Sequence, residues 1–192
     1  MSDKKIILAY GTRFGSTKEV SEELASLFGK KGCDASLLDL VETPMDLWPS
    51  PDSHDGVIVG SSIRRGQWMD EPKSYLKKNK TYWGGKILLG VFVCCATAAK
   101  PELRSRAKNE YIEAVLKDLN IRADMVDAFG GIIDFSETSK QNWIDKKIIG
   151  RIHKNDPAVR KNIRNDLRDW DQIRSFGEEF CGLLNNKTLR GI

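Results

Sequence analysis

The sequence has little that would place it in a membrane or in an oxidising compartment. Its longest apolar run near the N-terminus, Ile6–Tyr10, is much shorter than a secretory signal or a membrane span. The four cysteines include two neighbours and show no metal-ligand spacing, and the two histidines are isolated. This pattern argues against a disulfide framework and a zinc site. We therefore expect reduced thiols, no metal centre and a cytoplasmic protein.

Several familiar phosphate motifs are also missing. No Gly-x-Gly-x-x-Gly follows the first apolar run, and Gly-x-x-x-x-Gly-Lys-Ser/Thr occurs nowhere in the 192 residues. These absences exclude the dinucleotide-binding and P-loop fingerprints. The first apolar run ends without an acidic pair and the third ends without an aspartate. A receiver domain that accepts phosphate on an aspartate is therefore not expected.

The charge of the chain is concentrated in one segment. Residues 139–168 contain nine basic and three acidic residues, so this segment carries +6 and the remainder carries −2 of the overall +4. With 40% hydrophobic and 30% charged residues, the chain has the composition of a globular protein. We expect residues 1–192 to form a single domain with one basic surface, and we do not expect nucleic-acid binding.

Apolar runs rich in β-branched residues alternate with segments of helical period. This alternation is typical of βαβ units around a parallel sheet. The five candidate strands are Lys5–Tyr10, Asp34–Leu40, Gly56–Gly60, Lys86–Val93 and Met125–Ile133. The sequence therefore predicts an α/β fold with a doubly wound, five-stranded parallel sheet and helices on both faces.

Four helices are predicted around this sheet. The first ends near Gly29 and Gly32, and the second begins near Pro72, a residue suited to a first turn. The last spans Asp169–Leu184. The third opens at Pro101, and its predicted apolar stripe consists of Leu103, Ala107, Tyr111, Ala114 and Leu119.

Residues 136–168 interrupt the alternation as a basic insertion after the fifth strand. A connection in such a fold typically has only about 2 to 6 residues. The insertion contains "WIDKKIIGRIHK", in which Trp143 precedes four isoleucines at near-helical spacing: Ile144, Ile148, Ile149 and Ile152. Such a segment either packs on its own domain or docks on an anionic membrane or a partner.

The stretch "GTRFGST", Gly11–Thr17, is the candidate ligand loop because it follows the first strand. In an open parallel sheet, ligands bind beyond the carboxyl ends of the strands. Glycines let a ligand approach the backbone, while a helix N-terminus offers free N–H groups to an anion. Ser16 and Glu19 have the spacing of a capping box. The sequence favours a phosphate site here, and a loop that only caps a helix is the alternative.

This loop resembles the Thr/Ser-x-Thr/Ser-Gly-x-Thr phosphate loop of flavodoxins. Thr12, Gly15 and Thr17 occupy the matching positions, whereas Phe14 replaces a usual Thr or Ser. Further matches follow in order: "GSSIRRGQW" after the third strand, "AAKPE" after the fourth, the basic insertion, and "DWDQIRSFGEEF" in the last helix. Over nearly the whole chain this order is similar to the flavodoxin-like, quinone-linked protoporphyrinogen oxidases of bacteria.

The resemblance implies FMN as the cofactor and three loops that hold it. The phosphate loop comprises Thr12, Arg13, Phe14, Gly15, Ser16 and Thr17. The first ring-side loop comprises Ser61, Ser62, Ile63, Arg64, Arg65 and Gly66. The second ring-side loop comprises Cys95, Ala96, Thr97 and Ala98. The resemblance identifies no catalytic acid or base, and flavin chemistry can proceed without one.

The ring-side loops lack the aromatic residues that enclose the ring in many flavodoxins. Ile63 stands where a Trp is common, and the second loop reads "CCATAAK". An open ring face suits two-electron chemistry on a bound substrate, so we expect an FMN-dependent oxidoreductase of the protoporphyrinogen and quinone type. A pure electron carrier between redox enzymes and a non-catalytic interaction module are the alternatives.

The resemblance also implies partners. Arg13, Arg64, Arg65 and Lys100 fall on loops at the ligand end, where arginine can pair with porphyrin propionates or with an acidic redox protein. The basic insertion would contact a redox partner or the inner face of a membrane, where quinones reside. We therefore expect a quinone or porphyrin, or a partner protein, and a peripheral membrane contact.

Overall fold

The computed structural model describes residues 4–85, 87–136, 139, 147, 150–151 and 159–189. Its main sheet has five strands in the order β2-β1-β3-β4-β5, and every neighbouring pair is parallel. The strands are β1 Lys5–Gly11, β2 Asp34–Asp39, β3 Gly56–Ser62, β4 Leu88–Cys94 and β5 Met125–Phe129. The predicted fold class is confirmed.

Helices cover both faces of this sheet. They are α1 Ser16–Lys30, α2 Asp70–Lys78, α3 Arg104–Ala107, a π-helix Lys108–Glu113, α4 Ala114–Leu119 and α5 Trp170–Leu189. On one face, Phe28 of α1 meets Phe180 of α5 with ring centroids 6.0 Å apart. On the other face, Tyr75 of α2 and Ile112 of the π-helix are fully buried. The two faces thus carry separate apolar cores.

The predicted apolar stripe of the third helix is wrong at Ala114, whereas Ala107, Tyr111 and Leu119 pack against the core. The chain makes a 3-10 turn at Pro101–Leu103 before α3 begins, and the π-helix follows α3 directly. A π-turn contains an extra residue, so the buried position after Ala107 is Ile112, five residues on. Tyr111 is therefore only half-buried, and Ala114 is exposed.

The predicted fifth strand is wrong beyond Phe129, where β5 ends. A Cβ on Gly130 would collide with the carbonyl oxygen of Leu167, so only glycine allows this close approach of two backbones. The chain then leaves the sheet and forms β6, Ile132–Asp134, which pairs antiparallel with β7, Arg164–Asp166. β6 and β7 together form a two-stranded stem at the base of the insertion.

Most of the insertion beyond this stem lies outside the described residues. This includes the residues on which its predicted amphipathic character depends: Trp143, Ile144, Ile148, Ile149 and Ile152. Among the helices that the structure describes, none is long and apolar enough to cross a membrane. The described residues also contain no group of His, Cys, Asp and Glu side chains suited to a metal ion.

Candidate functional site

The register of the sheet brings the three predicted ligand loops to one edge. Gly11 at the end of β1 lies opposite Ser61 of β3, and Ser62 lies opposite Cys94 at the end of β4. The N–H of Ile63 continues this pairing by donating to the carbonyl of Cys94 at 3.0 Å. The order of the strands reverses between β1 and β3, and such a switch point opens a crevice for a ligand.

The phosphate loop makes a tight turn into α1. Gly15 has φ +90°, a left-handed conformation that favours glycine, and its N–H donates to the hydroxyl of Thr12 at 3.0 Å. Gly15 occupies the N-cap position of α1, and its carbonyl accepts from the N–H of Glu19 at 3.0 Å. The amides of Ser16, Thr17 and Lys18 precede this first helical bond and therefore remain available to a ligand.

The predicted capping box between Ser16 and Glu19 is wrong. Ser16 is the first residue of α1 rather than its N-cap, and no side chain of the described residues caps the helix. The carboxylate of Glu19 instead accepts from Arg164 at 2.9 Å and from Arg168 at 2.6 Å. The N-terminus of α1 is thus left uncapped, and Glu19 is tied to the segment that returns from the insertion.

Two buried hydroxyl groups at this edge have no hydrogen-bond partner within the described part of the chain. Thr17 is 0% exposed and Ser62 is 8% exposed, and the Oγ atom of each is unsatisfied. The thiol of Cys94 lies beside Thr17, and a thiol is only a weak hydrogen-bond partner for the Thr17 hydroxyl. A buried hydroxyl without a partner costs about 1 to 3 kcal/mol, so both atoms are suited to bind a polar ligand.

The first ring-side loop is a two-residue hairpin. The backbones of Arg64 and Gln67 exchange two hydrogen bonds of 3.0 Å, while Arg65 and Gly66 between them have φ 52° and 80°. This turn type fits the twist of paired strands and holds its tip in a defined position. Arg65 is exposed at this tip. The loop is therefore a rigid support for a cationic side chain.

Aromatic residues near this hairpin pack into the protein. Trp68 is 4% exposed, and its indole N–H donates to the carbonyl of Tyr111 at 2.6 Å. The ring of Tyr111 lies 3.9 Å from the position that a Cβ on Gly66 would occupy. Trp68 thus anchors the first ring-side loop to the π-helix. Ile63 is half-buried against the same core.

The second ring-side loop is held from behind by an arginine. Cys95 and Ala98 are buried, whereas Ala96 and Thr97 are half-buried. The guanidinium of Arg104 donates to the carbonyl of Ala98 at 3.4 Å and pairs with Asp169 at 3.0 Å. Asp169 also accepts from the N–H of Gln172 and so caps α5. The start of α5 therefore fixes the position of this loop.

Sequence patterns missed the ion pairs that hold these loops. Arg168, Arg104 and Asp169 carry no local motif, and the pairs Arg168–Glu19 and Arg104–Asp169 join residues that are far apart in sequence. Glu19 in the first turn of α1 and the arginines before α5 gave only a weak signal, because opposite charges that lie close together in a fold tend to pair. Thr12, Gly15, Ser16 and Thr17, in contrast, lie together at the edge where the loop pattern placed them.

The strand order and the hydroxyl-rich turn at the switch point define a protein of the flavodoxin type. A family model described as a flavodoxin domain matches residues 7–160. The chain belongs to this family, which confirms the resemblance inferred from its motifs.

The chain is similar to the protoporphyrinogen IX dehydrogenase [quinone] of Escherichia coli strain K12. The two are 25% identical over 189 residues, covering 97% of this chain and 99% of that protein. Among solved structures, flavodoxin 1 of Bacillus cereus has a TM-score of 0.52 and 14% identity, with coverages of 93% and 98%. The rubredoxin oxygen:oxidoreductase of Desulfovibrio gigas has a TM-score of 0.56 and 14% identity, covering 96% of this chain but 37% of its own. These structures share the fold.

Cys94 and Cys95 are expected to be inert in the folded protein. Burial raises the pKa of Cys94 to about 12 and that of Cys95 to about 11, so both thiols stay protonated at pH 8. Iodoacetamide at pH 8, followed by peptide mass spectrometry, should label neither residue in the native protein and both in guanidinium chloride. Rapid native labelling of either cysteine would contradict this assignment.

Proposed function

We propose that the chain binds FMN at the edge formed by β1, β3 and β4. The observation that carries this proposal is the pair of buried, unsatisfied hydroxyls of Thr17 and Ser62 beside an uncapped helix N-terminus. Amides at a helix start attract a phosphate because they are free donors at the positive end of the helix dipole. The phosphate would lie on Thr12, Gly15, Ser16 and Thr17.

The two ring-side loops would hold the isoalloxazine ring. The hydroxyl of Ser62 would donate to a polar atom of the flavin, while the half-buried Ile63 and Ala96 would offer apolar contact. When bound, FMN supplies reversible electron and hydride chemistry that no side chain has. The chain's own contribution is to bind the phosphate, orient the ring and leave one face open, since no Trp stands at Ile63.

We infer further that the substrate is a porphyrinogen and the electron acceptor a quinone. The name of the Escherichia coli relative, which aligns over nearly its whole length, supports this assignment. Each pair of electrons and protons lost by the porphyrinogen would convert one quinone to a quinol. Arg13 and Arg65 are exposed at the loop tips, where their guanidinium groups would bind propionates in bidentate fashion.

Replacing Thr17 by Val tests the cofactor assignment. The change removes a buried hydroxyl that has no strong hydrogen-bond partner among the described residues but keeps the shape of the side chain, so apo stability should stay the same or rise. FMN affinity should fall roughly 10- to 100-fold, because a hydrogen bond to a charged group is lost. Fluorescence titration with FMN and thermal melting of the apoprotein measure both effects.

Thr81→Val is the matched control, since Thr81 is exposed and lies in the turn that precedes β4, whereas the site lies beyond the other end of that strand. Equal FMN affinities of the Thr17 and Thr81 variants would show that the phosphate of FMN does not bind to this loop. A wild-type protein that takes up no FMN would instead support the non-catalytic interaction module.

Reductive titration separates an oxidase-type enzyme from an electron carrier. Because one ring face is left open, we expect reduction of the FMN-loaded protein to pass directly from the oxidised to the fully reduced spectrum. We also expect quinone reduction to depend on added porphyrinogen. An anaerobic dithionite titration and a steady-state quinone assay provide the measurements. Stepwise one-electron reduction together with no porphyrinogen turnover would favour the carrier.

We propose that the basic insertion brings the protein to an anionic membrane surface that contains quinone. Its net positive charge supports this proposal, because each lysine near such a surface contributes about 1 kcal/mol. The triple variant Lys146→Gln, Lys147→Gln, Lys154→Gln should sediment much less with phosphatidylglycerol vesicles. The variant Lys30→Gln, Lys77→Gln, Lys117→Gln removes the same charge from exposed positions elsewhere and should bind normally. Equal binding of both variants would refute the assignment.

A further inference from the structure

Arg168 is a buried cation at the base of the phosphate loop. Its side chain is 1% exposed, and its guanidinium lies over the ring of Trp170 at 4.3 Å from the centroid. It donates to Glu19 at 2.6 Å and twice to Asp166, at 2.6 and 2.7 Å. It also donates to the carbonyl of Ser16 at 3.4 Å. One side chain thus contacts the first residue of α1 and the acidic side chain one turn later.

Burial alone would lower the pKa of Arg168, but the hydrogen bonds to Asp166 and Glu19 outweigh this effect and raise the pKa above its ordinary value. The charge is therefore permanent. Taking a guanidinium out of water is costly, and an apolar side chain would join β7 to α1 at less cost. The position of this cation beside Glu19 points to an electrostatic role.

The electrostatic role of Arg168 follows from the negative charge of Glu19. Its carboxylate lies in the first turn of α1, where it interacts favourably with the helix dipole but would repel a phosphate bound at the same N-terminus. Arg168 and Arg164 both bond to this carboxylate and thereby offset its charge. Without Arg168, Arg164 would be left to offset both Glu19 and Asp166, so a net negative charge would lie next to the phosphate loop.

We propose that Arg168 is a positioning residue that makes this site selective for the phosphorylated flavin, FMN, over riboflavin. The inference rests on the proposed FMN function. Arg168 offsets the charge of Glu19 and fixes the carbonyl of Ser16, so that the amides at the start of α1 face an anion without a competing negative charge. Riboflavin has no phosphate and does not depend on this balance.

Flavin selectivity of the Arg168→Met variant tests the proposal. Dissociation constants for FMN and riboflavin are measured by fluorescence titration, and their ratio is compared with that of the wild type. We expect FMN affinity to fall at least about tenfold more than riboflavin affinity, since the lost charge balance acts on the phosphate alone. A variant that loses both affinities by the same factor would show a purely structural role and overturn the proposal.

Arg174→Met is the matched control. Arg174 lies in α5, shortly after Arg168 in sequence, and bridges to Glu23 of α1 at 3.2 Å, but it is exposed, and Glu23 is one turn further along α1 than Glu19. Its loss should leave the FMN to riboflavin ratio unchanged. An equal change of the ratio in both variants would assign the effect to the overall positive charge near α1 and refute a specific role for Arg168.

Glu19→Gln keeps the proposal testable if Arg168→Met does not fold. Removing the negative charge should raise the preference for FMN several-fold, and Arg168→Lys, which keeps the charge, should lower it less than Met does. The double variant Arg168→Met, Glu19→Gln should recover most of the preference. A Glu19→Gln protein with unaltered selectivity would contradict the charge-balance argument. A wild type that binds neither flavin would refute the proposed function itself.

Discussion

Parallel backbone pairing of β1, β3 and β4 is the constraint on which the rest of the site depends. The three strands are buried on both faces, and their register aligns the residues at which they end. Neighbouring strands lie about 4.8 Å apart, so the loops that follow β1 and β4 are separated by roughly 10 Å. The sheet sets this spacing, and the loops are free to carry polar groups that would be costly in the core.

The parts of the fold that depend on patterns among neighbouring residues could be predicted from the sequence. The strand positions and the turn from Thr12 to Thr17 are encoded within a few residues of each other. The π-helix could not be predicted from the sequence, because the one extra residue in its turn does not change the apolar pattern around Ala107 in a recognisable way. Gly130 ended β5 early because of its contact with Leu167, and that contact depends on the tertiary structure.

Glu19 illustrates the limit of local reasoning at the site. Its spacing from Ser16 is that of a capping box, and a capping bond would need no distant partner. In the folded protein the carboxylate meets Arg168, which is 149 residues away in sequence. A bidentate-capable, permanently charged guanidinium outcompetes a single backbone N–H for a carboxylate. The turn from Thr12 to Thr17 was therefore predictable from its own residues, whereas the charges that surround Glu19 were not.

The stem of β6 and β7 has a consequence for how this protein family can vary. Asp134 and Arg164 are paired across the stem, so the insertion leaves and re-enters the domain at neighbouring points. The entropy of closing such a loop grows only slowly with its length. Evolution, or a designer, can therefore exchange the connecting polypeptide for a shorter turn or a whole binding module while the scaffold beneath stays intact.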